Sequence, residues 1–184
     1  MSKNAKRELI SWGLLIVVAV SMAWATRTFA IEPREVLQNS MVPTVLEHDQ
    51  IVINKLAYAF GEPIRGDIIV FHPVAKGHSD EDLIKRVIGL PGEWIDIRGK
   101  EVYINGKLLV ESGNKNNTDY TVDYLCDDES CKVGEQLAED EYYVLGDNRD
   151  VSRDSRAFGP VPFEKIVGKV FLVFWPIDRF GTFK

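Results

Sequence analysis

The chain has 184 residues, 45% of them hydrophobic, enough for one domain with a real core and a small appendage. Its formal net charge of -6 is uneven: ten acidic residues and two lysines between Glu111 and Glu141 give that stretch -8 and leave +2 for the remainder. A near-neutral body with one acidic lobe lacks the basic face a nucleic acid needs, so no such partner is expected, whereas a body lying near anionic lipid is compatible.

Lys3, Lys6 and Arg7 precede an uncharged stretch of 18 residues, Leu9 to Thr26. A helix there, at about 1.5 Å per residue, is roughly 27 Å long and nearly matches a hydrocarbon core of about 30 Å. Trp12 and Trp24 stand near its two ends, where amphipathic rings favour the headgroup region. The basic flank predicts residues 1–8 in the cytoplasm, 9–26 as a transmembrane anchor and 27–184 outside the cytoplasm. Arg27 and Arg34 weaken that asymmetry without reversing it. The competing reading is a cleaved signal peptide with Ala23-Trp24-Ala25 as a small-x-small site. The apolar run exceeds the roughly 7–15 residues of such leaders, which favours an anchor that is kept.

Beyond the anchor the chain reads as mainly β. Strands are predicted at Gln50 to Asn54, Asp67 to Phe71, and Leu83 to Ile88, the last stopped by Gly89-Leu90-Pro91-Gly92. Trp94 to Arg98 and Glu101 to Ile104 flank Gly99-Lys100 as a hairpin, and Asn105-Gly106 marks a turn. Tyr142 to Leu145 and Ile166 to Trp175 follow; Lys169 and Pro176 bound the apolar run Val170 to Trp175, which reads as a buried strand and not a second span. Short strands separated by glycine and proline predict a folded-over antiparallel sheet or a barrel-like body. The acidic, weakly patterned stretch reads as a small inserted lobe, placed at 93–141 with the hairpin that leads into it. Within it, Cys126 and Cys131 are either a short-loop disulfide or two free thiols, and with no second pair they are not a zinc site.

Lys85 is the first residue with unusual surroundings. In a strand it shares a face with Leu83 and Val87, while Arg86 shares the other with Ile84 and Ile88. An apolar setting disfavours the ammonium form and lowers a lysine's pKa; the plain alternative is a lysine that snorkels or pairs with a carboxylate. Arg86 cannot lose its proton, so a base among the two must be Lys85. Ser40 sits between Asn39 and Met41-Val42-Pro43, a turn able to present a hydroxyl but common among surface loops. Gly146 to Arg156 is dense in polar side chains, either a solvated loop or a scaffold around a site. His48, His72 and His78 are scattered, read as surface residues, and supply neither metal-ligand spacing nor a Ser-His-Asp triad.

Four blocks together resemble the bacterial type I signal peptidases (leader peptidases). They are Ser40-Met41-Val42-Pro43-Thr44, Gly66 to Phe71, Lys85 to Gly92, and Gly146 to Arg156, in that family's order behind a suitably placed anchor. The resemblance implies Ser40 as nucleophile and Lys85 as general base, with Ser152 orienting the lysine amine. It implies an Asp154–Arg156 ion pair supporting the site and pairing of Asp147 with Arg86. The Ser40 N–H would be one oxyanion donor. Where some members carry a serine hydroxyl as the second donor this chain has Gln38, leaving either the Gln38 amide or a single donor. Val36, Met41, Leu83 and Ile84 fall where the family lines pockets for small side chains at the first and third positions before the scissile bond. The implied activity is removal of signal peptides from exported preproteins at the bacterial inner membrane, with membrane lipid and preproteins as partners and no metal or cofactor. Leu56 to Phe60 either reaches the lipid surface or is ordinary core. Other readings are a relative dedicated to one exported substrate such as a pilin, a self-cleaving serine/lysine regulator, or an anchored envelope-binding domain without catalysis.

Overall fold

The computed structural model describes residues 8, 11–21, 30–74, 81–111, 120–122 and 134–183. Its strands in chain order are β1 (Ile31–Glu35), β2 (Gln50–Asn54), β3 (Ile68–Phe71), β4 (Leu83–Gly89), β5 (Trp94–Arg98), β6 (Glu101–Ile104) and β7 (Lys107–Glu111). There follow β8 (Tyr120–Val122), β9 (Glu135–Gln136), β10 (Glu141–Leu145), β11 (Val161–Pro162), β12 (Ile166–Trp175) and β13 (Gly181–Thr182).

Two antiparallel sheets result. The larger runs β1-β2-β12-β3-β4-β10-β11 with β13 against β12, and the smaller runs β8-β7-β6-β5-β9. In β2, Ile51 and Ile53 are buried and alternate with partly exposed Gln50, Val52 and Asn54, the period-2 signature of a strand with one covered face. β3 lies between β12 and β4 and is buried throughout, so its apolar run shows no alternation. The ten-residue β12 shifts register against β2 and against β3, and such bulges bend a long strand enough to fold the sheet over. Asn105 and Gly106 both have positive φ, the geometry of a tight two-residue hairpin, and lead directly into β7.

The core falls into three clusters. One packs Val36, Met41 and Val45 from the segment between β1 and β2 onto Ile51, Ile53 and Ile68. A second lies around Ile69, Phe71, Val87 and Val144. The third joins Ile88, Tyr143 and Leu145 of the larger sheet to Ile95, Val102 and Ile104 of the smaller. The smaller sheet is therefore seated against the end of β4 and β10.

Several sequence expectations meet the structure here. The predicted strands appear within a residue or so of their expected ends, whereas β1, β7 and the short β8, β9, β11 and β13 were not anticipated. β1 has no apolar alternation, since its sequence is Ile31-Glu32-Pro33-Arg34-Glu35, and pairing with β2 alone makes it a strand. Residues 11–21 are helical with exposed apolar side chains. Among the described residues no helix is long and apolar enough to cross a membrane. Residues 9–10 and 22–26 of the expected anchor, together with Cys126, Cys131 and His78, lie outside the described residues. In the run from Leu56 to Phe60, Leu56 and Phe60 face outward while Tyr58 turns in to donate to Asp67 at 2.9 Å.

Candidate active site

The segment from Val36 to Asp49 closes on itself and carries Ser40. Val36 N–H donates to the Asp49 carbonyl at 2.9 Å and His48 N–H to the Val36 carbonyl at 2.7 Å, forming a neck. Above the neck, Thr44 and Val45 N–H groups turn back onto the Met41 carbonyl, which drives Met41 and Val45 into the core below. Ser40 stands at the start of this turn with its carbonyl oxygen accepting from Asn148 N–H at 3.0 Å. The Ser40 N–H has no hydrogen-bond acceptor among the described residues, which leaves a donor beside the hydroxyl.

Lys85 approaches from the middle of β4, opposite Ile69 of β3. Its side chain is 1% exposed, and its Nζ lies 2.7 Å from Ser40 Oγ and 2.9 Å from the Ile84 carbonyl oxygen. Burial pulls its pKa from 10.5 down to about 8, against the negative charge of Asp154, which acts in the opposite direction. About a tenth of the amine is then neutral at pH 7, and about half near pH 8. In that form the Ser40 hydroxyl is the donor and Nζ the acceptor of the 2.7 Å contact.

The loop after β10 frames these two groups. Asp154 is fully buried; it accepts from Arg156 Nε at 2.8 Å, Arg156 Nη2 at 2.9 Å and Gly146 N–H at 3.0 Å, and it caps the short helix Ser155–Phe158. Burial pushes this carboxyl up, but the Arg156 guanidinium, the Gly146 amide and the nearby Ser152 hydroxyl outweigh it and hold the group below the ordinary carboxylate range. Arg86, on the opposite face of β4 from Lys85, grips Asp147 through two bonds of 2.8 and 2.6 Å and donates to the Gly66 carbonyl at 2.8 Å. Asp147 therefore ties the loop to β4 directly beside the lysine.

Ser152 differs from expectation. Its hydroxyl is buried near Asp154 but makes no hydrogen bond of good geometry, and it is not bonded to Lys85 Nζ. Its side chain lies flat on Gly146, where an added methyl group would overlap the hydroxyl and stand 2.5 Å from the Ser40 carbonyl oxygen. Asn148 was missed in the sequence. Its N–H and side-chain amide both reach the Ser40 segment, at Ser40 O (3.0 Å) and Asn39 O (3.3 Å). Nothing local marks it, because the contact spans more than a hundred residues.

Two cavities flank Ser40. One, of about 450 Å³, includes Ser40, Lys85 and Leu83, with Leu37, Val74 and Phe158 around it. The other, of about 400 Å³, includes Ser40, Val36 and Ile84, over Ile53 and Val70. Gln38 lines both, and its side chain has no hydrogen-bond partner among the described residues. Met41 lines neither, since the turn that follows Ser40 buries it in the core at 1% exposure. It packs in the core beneath Ser40.

A family model described as signal peptidase, peptidase S26, matches residues 9–175. The chain belongs to the signal peptidase family. It is a serine endopeptidase of that type. Among its relatives, the signal peptidase I of Leptolyngbya laminosa is 40% identical over 172 residues, covering 90% of this chain and 79% of its own. A probable signal peptidase I-2 of Synechocystis sp. is 39% identical over 174 residues, covering 92% and 74%. Signal peptidase IB of Staphylococcus aureus is 34% identical over 183 residues, covering 95% and 94%. A crystal structure of a signal peptidase I from Enterococcus faecalis V583 shares 36% identity, covers 59% of this chain and 96% of the solved one, and superposes with a TM-score of 0.42.

Proposed function

We propose that this signal peptidase cleaves preproteins after small-x-small sites with Ser40 as nucleophile and Lys85 as general base. The observation that carries the reading is the 2.7 Å contact of Ser40 Oγ with a lysine amine that is almost wholly out of water. Neutral Lys85 takes the proton as Ser40 attacks the carbonyl. It then protonates the leaving amine, and the acyl-enzyme is released by a water that Lys85 activates. The Ser40 N–H and the Gln38 side-chain amide are the donors for the developing oxyanion.

Specificity follows from strand geometry. Alternate residues of an extended peptide point the same way, so the first and third residues before the scissile bond enter the two cavities while the middle one faces solvent. Leu83 borders the first cavity, and Val36 with Ile84 the second, which favours apolar side chains. β1 is the end strand of its sheet, so its outer edge has room for a substrate strand. Asp154–Arg156 and Asp147–Arg86 hold the loop that frames the dyad, with Ser152 poised to turn onto the amine.

In the same reading, 9–26 spans the bacterial inner membrane, 1–8 stays in the cytoplasm, and 27–184 works outside it with 93–141 as a lobe. Leu56 and the fully exposed Phe60 then face lipid. Cleavage of a preprotein in detergent by wild type, Ser40→Ala and Lys85→Ala is the test. Both variants should fall to background; undiminished processing by either one refutes the dyad.

A further inference from the structure

Arg179 lies on the 3-10 turn Ile177–Arg179 that follows β12, far in sequence from the nucleophile. Its guanidinium nevertheless closes on the Ser40 segment. Nε donates to Asp49 Oδ1 at 2.9 Å, and Nη2 to Asp49 Oδ2 at 2.9 Å and to the Thr44 carbonyl oxygen at 3.3 Å. Asp49 is only 2% exposed, and the same Oδ2 accepts from Leu46 N–H at 2.8 Å. One guanidinium therefore meets the segment at its neck and again four residues after Ser40.

We infer that Arg179 is a positioning residue for the reaction, locking the turn that sets Ser40 against Lys85. This inference rests on the dyad reading above. Asp49 does not need Arg179 to hold β2 in place, because β2 is paired along its length with β1 on one side and β12 on the other. The stretch Thr44 to Leu46 has no sheet partner. Val45 is anchored below in the core, but the polar backbone on either side of it is held by the Met41 turn, by Asp49 and by Arg179. Loss of the guanidinium frees the Thr44 carbonyl and leaves the Asp49 carboxylate buried without its cation, and both changes act on the turn that begins at Ser40. Lys85 belongs to β4 and stays where it is. The expected defect is one of alignment between two intact groups: the nucleophile is displaced, while the amine and the cavity walls supplied by β2, β3 and β4 stay in place.

The test compares full-length wild type, Ser40→Ala, Arg179→Gln, Arg179→Lys and the double variant Arg179→Gln/Asp49→Asn in detergent, measuring kcat, KM, the pH midpoint of activity and Tm. Arg179→Gln should lower kcat between about tenfold and a hundredfold, with KM within about twofold and the pH midpoint unmoved. Arg179→Lys, which keeps the charge but not the two-pronged grip, should regain only part of kcat. The double variant, freed of the unpaired carboxylate, should regain Tm without regaining kcat. Full kcat in Arg179→Gln, or recovery of kcat in step with Tm in the double variant, overturns the positioning role. Cleavage by Ser40→Ala at the wild-type rate removes the dyad reading itself, and this inference with it.

Discussion

Replacing Lys85 by Met should abolish cleavage and stabilise the protein. The side chain is nearly out of water, and its pKa is pulled from 10.5 to about 8. At about 1.4 kcal/mol per pKa unit, holding the ammonium in that site at pH 7 costs about 3 kcal/mol relative to the unfolded chain. Methionine has similar length and no charge. The change gives up bonds to Ser40 Oγ and the Ile84 carbonyl, each contributing about 1 kcal/mol, so a net gain of about 1 kcal/mol remains. Because the folded-state pKa is the lower one, the penalty is fully present below about pH 8 and fades as pH rises through 10.5. The stability advantage of Lys85→Met should accordingly be largest near neutrality and shrink or reverse toward pH 10.5. Thermal unfolding of both proteins at pH 7 and pH 10.5 is the assay, with about 2–4 °C expected per kcal/mol at this size. A variant less stable than wild type by the same amount at both pH values would refute a lysine held against its preferred ionisation.

Four further outcomes are expected. The acid limb of kcat/KM should have its midpoint near pH 8, the value to which burial pulls Lys85, leaving about a tenth of the amine neutral at pH 7; a midpoint above pH 10 in a pH–rate profile contradicts it. Gly146→Ala should lower both kcat and Tm, by about 1–3 kcal/mol in stability, because its methyl meets the Ser152 hydroxyl and the Ser40 carbonyl; unchanged chemical unfolding and activity would count against that close approach. Arg86→Met leaves Asp147 without its cation and should cost about 3 kcal/mol, most of it recovered when Asp147→Leu is added, as a denaturant-unfolding cycle would reveal. Gln38→Ala should lower kcat about 10²-fold with little change in KM; an equal kcat would mean the Ser40 N–H works alone.

The central strands are legible because their cause is local. Gln50 to Asn54 alternates, and Ile68 to Phe71 and Leu83 to Gly89 are dense in β-branched residues between glycine and proline stops. β1 is illegible for the converse reason: its charged residues and proline carry no strand pattern, and partner β2 imposes the conformation. Asn105-Gly106 announces its turn, yet β7 beyond it goes unread because Lys107 to Glu111 shows only one buried side chain, Leu109. Within the site, Lys85 is visible from its apolar neighbours on β4. Ser40 is visible only through the order of the four blocks, since its setting is assembled from remote pieces: Lys85, Asn148 and Arg179. The packing of Met41 into the core is not legible either, because a turn of the chain, and not its spacing from Ser40, decides which way it points.

The open outer edge of β1 has a consequence beyond any single substrate. An unpaired strand edge accepts whatever extended chain reaches it, including a second copy of the same protein. The composition of β1 counters this. Pro33 removes one N–H from the strand, and a parallel in-register copy would set Glu32, Arg34 and Glu35 against the same charges. A short, mostly uncharged peptide can still lie there, but a long strand pairing between two enzymes is disfavoured. The features that hid β1 in the sequence are those that keep its edge from being occupied by the wrong chain.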